Sequence, residues 1–375
     1  MSLKEIFCQD RAIAILQKAF AVDRIPHAYI FAGMEGIGKF KTAREWAKFL
    51  LCKSKIAEKT TSVEFADSCG SCQSCRLFEA DSHPDFHNIY KELIQFTEDG
   101  KDKKTPVDLP IDVIREFLIA KVSTRPTLSE RKVFVVGEAE RLNISSQNCL
   151  LKVLEEPPEY CCIILLCTRL ERLLPTTKSR CQIIRFGPIA QEIIIDKLKE
   201  MSIEERKAQY FGRLAEGSLG QGCQWAQLEL ADANLYQTKK ELIDSLSTCG
   251  YAGALELAEW VLDEGKRIAT AWTKLDSATS KTDINRRAAK TLMQIVISAL
   301  YDAMKLNVTA GEELINFDQQ QQIKKLANRF DPEQAAEKIA DAYKTMRWIN
   351  SAVNEKLVFE QLLLNLTVSG KIKVQ

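Results

Sequence analysis

Along the first half of the chain, compact apolar runs alternate with stretches whose apolar residues recur at helical spacing. Residues 28–31, 86–90, 133–136, 163–167 and 183–186 read as five strands, with helical patterns between most of them, as at 111–120 and 147–154. Strands separated by helices predict a parallel sheet with crossover helices, an α/β core. Gly187 and Pro188 break the chain directly after the fifth run and set a domain boundary.

Beyond Pro188 the pattern is helical throughout. Residues 190–201 and 203–214 read as helices, and 217–222 as a glycine-rich joint. From about residue 250 the spacing stays helical to the end, as in Leu357, Phe359, Leu362, Leu363 and Leu366. Segments 276–282 and 307–313 read as connections.

The 375 residues leave room for two or three domains. Lys plus Arg total 52 and Asp plus Glu 51, a net charge of +1, so the chain lacks the basic bias of an independent nucleic-acid binder. The longest apolar run, eight residues at 160–167, is far short of the ~20 that span a membrane. The first residues carry no apolar stretch of signal-peptide length. Both features predict a soluble, cytoplasmic protein with no membrane partner. Twelve cysteines in a chain this long do not suggest a secreted disulfide scaffold. Cys149, Cys161, Cys162 and Cys167 fall in apolar segments, where thiols behave as small hydrophobes.

The run 28–31 leads into Gly33-Met34-Glu35-Gly36-Ile37-Gly38-Lys39-Phe40, followed by a helical pattern over 41–51. Gly-x4-Gly-Lys between a strand and a helix is a phosphate-binding loop, the Walker A motif. Gly33, Gly36 and Gly38 let backbone N–H groups close around phosphate oxygens, and Lys39 reaches the terminal phosphates. The next position normally supplies a hydroxyl to Mg2+. Phe40 has none, and Thr42, roughly 200° further round the helix, does not replace it. The run 133–136 ends in Gly137-Glu138, where ATPases of this kind place an Asp for magnesium and then a Glu to orient water. Glu138 is kept and the Asp is lost. With the Mg2+ site lost twice over, ATP or ADP binding through Lys39 stays open, while hydrolysis is expected to be absent or impaired.

Cys69, Cys72 and Cys75 form a Cys-x2-Cys-x2-Cys ladder. Three thiolates at this spacing can meet one Zn2+, which takes four tetrahedral ligands and is structural when the set is closed. Cys52 is the first candidate for the fourth ligand, with His83 and His87 as alternatives.

Several strings then occur in a telling order. They are Arg24-Ile25-Pro26-His27-Ala28-Tyr29-Ile30-Phe31, Leu150-Leu151-Lys152-Val153-Leu154-Glu155-Glu156-Pro157-Pro158, Ser179-Arg180-Cys181, and Ala352-Val353-Asn354-Glu355-Lys356-Leu357. Together the chain resembles the clamp-loader branch of the AAA+ ATPases, most closely the delta-prime subunits of bacterial DNA polymerase III. The resemblance implies an AAA+ P-loop core (1–187) with a five-stranded parallel sheet. A zinc module (about 52–75) is inserted in it, and a small helical lid (188–247) and an all-α collar for oligomerisation (248–375) follow. Relatives carry a cysteine at the helix end matching Cys52, with a shorter gap than 53–68; His83-Pro84-Asp85 is a family string and reads as structural.

The resemblance further implies a heteropentamer with gamma/tau and delta subunits that loads the sliding clamp (beta) onto primed DNA. Arg180 would be an arginine finger directed at ATP on the neighbouring subunit, Thr168 the first sensor, and Glu138 vestigial. Gly220 stands where active relatives carry a nucleotide-sensing Arg. This pattern suits a stator lacking its own ATPase activity. A catalytically active gamma/tau-type ATPase and a DNA-binding module that reuses the fold are the alternatives. Lys152, Arg169 and Arg172 are candidate DNA contacts that also fit a solvated surface.

Overall fold

The structure is a computed structural model that describes residues 2–59, 64–98, 107–276, 279–309, 313–349 and 354–367. Strands β1 (Ala28–Ala32), β2 (Phe86–Ile89), β3 (Lys132–Val136), β4 (Cys161–Cys167) and β5 (Gln182–Arg185) form one parallel sheet in the order β2-β3-β4-β1-β5. β1, β3 and β4 are buried along their whole length. Cover on both faces explains why their sequences are continuous apolar runs rather than alternating ones. Successive side chains enter opposite cores: Ile30 joins Phe134 and Ile163 on one face, while Tyr29 and Phe31 join Val133, Val135 and Ile164 on the other. Each run expected as a strand falls on one of these five, displaced by no more than two residues at its ends.

The position of β1 between β4 and β5 sets the site. In the register, Ala32 lies opposite both Cys167 and Arg185, and Gly33 N–H donates to Cys167 O at 3.1 Å. The loop leaving β1 therefore starts beside the residue leaving β4. Such a crevice at the carboxyl edge, where strand order reverses, is where open α/β sheets bind ligands.

One feature of the first unit was not anticipated. A two-stranded antiparallel hairpin, Ile56–Lys59 with Glu64–Asp67, occupies the gap 53–68 of the cysteine module, for which no element was expected. It leaves the end of the helix Lys39–Leu51 and returns the chain to the same place.

The chain divides into two compact units, Met1–Ala190 with Ser218–Gly220, and Gln191–Gly217 with Gln221–Gln375. In the second, the described residues contain helices and no strand. Gly212, in the helix Glu205–Leu214, lets that helix approach Gln191–Glu200; a Cβ there would lie 2.5 Å from Ile195 Cγ1. Of residues 217–222, expected to be a glycine joint, 217–218 do turn between two helices, with Gly217 at φ 91°. The helix Leu219–Leu230 takes in 219–222, however, and Gly222, buried against Ile194, serves close packing rather than a bend. The long helix Lys281–Val308 starts at Ser280, whose hydroxyl accepts from Asp283 N–H. It packs against Ala254–Leu275, Pro332–Ile349 and Gln320–Ala327. The expected connections fall between helices, although residues 277–278 and 310–312 within them, like 60–63 of the cysteine module, lie outside the described residues. Leu357, expected to be apolar core, is exposed, while Phe359, Leu362, Leu363 and Leu366 are buried.

A polar seam runs through this helical unit. Lys239 donates to Asp318, both side chains fully buried, and Tyr236 Oη donates to Asp318 at 2.7 Å. Lys239 Nζ also sits 4.6 Å from the Tyr210 ring centroid. Burial pushes the Lys239 pKa down to about 8 against the pull of Asp318. No helix among the described residues is long and apolar enough to cross a membrane.

Candidate functional site

The phosphate loop turns at Gly36 (φ 75°) and Gly38 (φ 98°), left-handed conformations that glycine adopts without cost. At Gly33 the constraint is space: a Cβ would sit 2.8 Å from Phe186 O. The loop is closed on itself. Lys39 Nζ donates to Gly33 O at 2.7 Å and also to Met34 O. Burial lowers the Lys39 pKa, opposed by Glu140 and Glu35. A second closure comes from the chain 180 residues on, where Gly220 N–H donates to Gly36 O and Ser218 Oγ to Glu35 O, each at 2.8 Å. A Cβ on Gly220 would lie 2.7 Å from Gly36 Cα, so any side chain there, an arginine included, requires the two segments to part.

The side chains at the two positions expected to have lost their magnesium ligands, and at the nearby Thr42, are placed as follows. Phe40 is exposed, and Thr42 Oγ1 is turned back onto its own helix, donating to Gly38 O at 2.9 Å. Gly137 closes β3 with an N–H bond of 2.9 Å to Ile89 O. A Cβ there would find only an ordinary contact of 3.6 Å, so a carboxylate is absent for want of the residue rather than for want of room. Glu138 has a left-handed backbone (φ 47°) and pairs with Arg141 at 2.9 Å. The carboxylate that engages the loop edge is instead Glu140, which accepts from the N–H of Thr168 at 3.1 Å and from its hydroxyl. Nothing in Gly137-Glu138-Ala139-Glu140 singled it out.

Arg180 follows the short helix Pro175–Ser179. Its guanidinium is held by its own chain, with Nη2 2.8 Å from Glu155 Oε1 and Nη1 donating to Thr176 O at 3.0 Å. Both partners are partly exposed, so the pair is a weak restraint, worth at most about 1 kcal/mol. Lys152, Arg169 and Arg172 are exposed.

The metal candidate is brought together by three separate pieces of chain. Cys52 ends the phosphate-loop helix, the hairpin returns to Cys69, and Cys72 caps the helix Gln73–Glu79, whose first turn contains Cys75. All four Sγ atoms lie within 4.8 Å of one another. Cys52 is 3.6 Å from Cys69 and 3.9 Å from Cys72, and Cys69 is 4.0 Å from Cys75. A tetrahedron of Zn–S bonds of about 2.3 Å has sulfur–sulfur edges of about 3.8 Å, so the set fits. Burial raises the Cys69 thiol, but N–H bonds from Ser71 and Cys72 outweigh it and hold the pKa at about 6.

His83 is excluded from this set by its own bonds. Its Nδ1 accepts from Asp85 N–H at 3.1 Å. Its Nε2 lies 2.9 Å from Ser74 Oγ and 3.3 Å from Ser129 Oγ, hydroxyls that both donate to Leu51 O. Nε2 must therefore carry the proton, and burial lowers the pKa to match. The neutral ring ties Ser74, beside Cys75, to the helix end beside Cys52. Asp85 is fully buried and accepts three backbone N–H bonds, from Thr127 (2.6 Å), Leu128 (2.8 Å) and Ser129 (2.8 Å). His87, in β2, packs at a tilt against Phe134, ring centroids 4.9 Å apart, and burial lowers its pKa to about 4.

A parallel sheet ordered with β1 between β4 and β5, a Gly-x4-Gly-Lys loop leaving β1, and a second unit that is helical among the described residues define a protein of the α/β P-loop class. Family profiles described as "DNA polymerase III, delta subunit" and "DNA polymerase III, delta subunit, C terminal" match residues 8–190 and 271–367. The chain is 29% identical over 206 residues to DNA polymerase III subunit delta' of Bacillus subtilis, covering 55% of this chain and 56% of that one. It is 26% identical to subunit delta' of Escherichia coli over 354 residues, 94% and 92% of the two chains. Subunit tau of E. coli is 29% identical over 70% of this chain and 39% of its own length. The matches thus span about half or less of the Bacillus delta' and E. coli tau chains. The chain belongs to the DNA polymerase III delta-prime family.

Proposed function

We propose that this chain is a stator subunit of the DNA polymerase III clamp loader. In that role it stands in a heteropentamer between a gamma or tau ATPase and the delta subunit, and helps open the sliding clamp and load it onto primed DNA. Its own nucleotide site is structural rather than hydrolytic, and Arg180 serves the ATP bound by its neighbour. The domain division at about residues 187 and 247, into core, lid and collar, is part of this reading. The observation that carries it is the pairing of a disabled site with an available arginine. The loop lacks an oxygen at Phe40 and a carboxylate at Gly137, and Lys39 and Gly220 close it. Arg180, by contrast, is held by a partly exposed pair with Glu155 and by exposed hydrogen bonds to Thr176 O and Ser179 Oγ.

The four cysteines would hold Zn2+ as a closed structural ligand set with no open position for substrate. The metal would supply cross-linking of the helix end, the hairpin and the helix Gln73–Glu79, and no chemistry on nucleotide.

The test is steady-state ATPase activity of a reconstituted loader, comparing wild type with Arg180→Ala and Lys39→Ala. An arginine finger in trans is worth about 10³–10⁵ in rate at the site it serves. Arg180→Ala should remove most clamp-stimulated hydrolysis at that site, and Lys39→Ala should leave the total unchanged. A comparable loss with Lys39→Ala would instead favour a gamma/tau-type ATPase, the reading that the similarity to tau keeps in view.

A further inference from the structure

Within the helical unit, Leu214, Glu216, Gln294, Ile297, Tyr301, Met304, Ile339 and Tyr343 line an open cleft of about 290 Å³ that none of the roles above uses. Its floor is aliphatic. Its rim is polar and open to solvent: Glu216, Tyr301 and Tyr343 are exposed, and among the described residues no hydrogen bond or ion pair ties up the Glu216 carboxylate or the two tyrosine hydroxyls. The three tips are neighbours, since Glu216 and Tyr301 both act electrostatically on Tyr343. Burial raises the Glu216 pKa, with no cation nearby to oppose it. Glu216 also holds a left-handed backbone (φ 47°) at the turn that ends the helix Glu205–Leu214.

We propose that this cleft receives an arginine side chain from a partner polypeptide. The chemistry selects the occupant. An acceptor carboxylate flanked by two phenols calls for a cation with several donors, and aromatic walls favour a flat one. The aliphatic floor, with Ile297, Met304 and Ile339, suits the side chain's methylene stem. At about 290 Å³ the cleft has room for an arginine side chain, which would make it an anchor point in a wider interface. Tyr and Arg are enriched at such anchors. The proposal makes no use of the nucleotide site or of Arg180, and stands if that reading fails.

The full chain, labelled with ¹³C at its methionine methyls, provides the test because Met304 lines the cleft. Titration with acetyl-Gly-Arg-Gly-amide should shift the Met304 signal saturably. The citrulline counterpart, equal in shape and uncharged, should bind at least about five-fold more weakly. Glu216→Gln and Tyr343→Phe should each weaken the arginine peptide while leaving the thermal melt unchanged. Equal binding of the two peptides, or no saturable shift of Met304 by about 20 mM, overturns the proposal. Spermidine binding as tightly as the arginine peptide also overturns it, assigning the cleft to free cations.

Discussion

Replacing Gly220 with alanine should reopen the phosphate loop. The new Cβ would lie 2.7 Å from Gly36 Cα and 3.2 Å from Gly36 O. Both are backbone atoms, so the strain is relieved by the two segments parting rather than by a rotamer change. Parting breaks the bonds from Gly220 N–H to Gly36 O and from Ser218 Oγ to Glu35 O, each 2.8 Å. At roughly 0.5–1.5 kcal/mol apiece, the closed arrangement loses about 1–3 kcal/mol. Alanine's helix preference, about 1 kcal/mol over glycine, favours the helix in open and closed forms alike and cancels. A competing closed state lowers apparent affinity by its population, so weakening it by ~2 kcal/mol should tighten ADP binding about thirty-fold. Fluorescence anisotropy of a labelled ADP analogue on the isolated full chain measures this, with Lys39→Ala as the control that abolishes binding. A Gly220→Ala affinity within about two-fold of wild type would refute the claim that this segment restrains the loop.

Two further outcomes follow from the core unit. Purified protein should contain zinc; Cys75→Ser should lose most of it and melt lower, while His83→Gln should keep it, as metal analysis of the two variants will tell. Asp85→Asn leaves at least one of three N–H donors unanswered and should cost about 2–4 kcal/mol in urea denaturation at neutral pH. Burial raises the Asp85 pKa, but those N–H bonds more than offset it and hold the folded value low. The wild-type advantage should therefore be complete above the unfolded value of about 3.9 and shrink as pH falls below it. An advantage that stays constant down through that range would show that the carboxylate charge is not what the loop 127–129 reads.

The sheet was legible because burial on both faces forces uninterrupted apolar sequence, as in Ile163-Ile164-Leu165-Leu166. The glycine turn between β1 and the helix Lys39–Leu51, and the grouping of the cysteine ladder, were legible because their spacing is short and local. The hairpin at 56–67 was not. In its first strand the neighbours Ile56 and Ala57 are both exposed, so no alternation of buried and exposed positions marks the start of the hairpin. For the same reason the sequence could not show how a long gap returns Cys69 to Cys52. Glycines misled once: Gly217, Gly220 and Gly222 look like a joint, but Gly220 and Gly222 serve close approach inside a helix. Glu140 and Glu155 were invisible, since a carboxylate's partner is fixed by where distant chain segments meet. Glu138, the acid the motif pointed to, is drawn aside by Arg141.

The buried pair of Lys239 and Asp318 has a mechanical consequence. It joins the helix Leu235–Thr248 to the segment leading into Gln320–Ala327, with neither charge reaching solvent. Prising the two apart would strand a charge on each side, at a cost of several kcal/mol. At about 4 kcal/mol, roughly one molecule in a thousand is open at this seam at any instant. The seam is a weld and not a hinge. Motion that parts these two pieces of chain is therefore the costly kind within the helical unit.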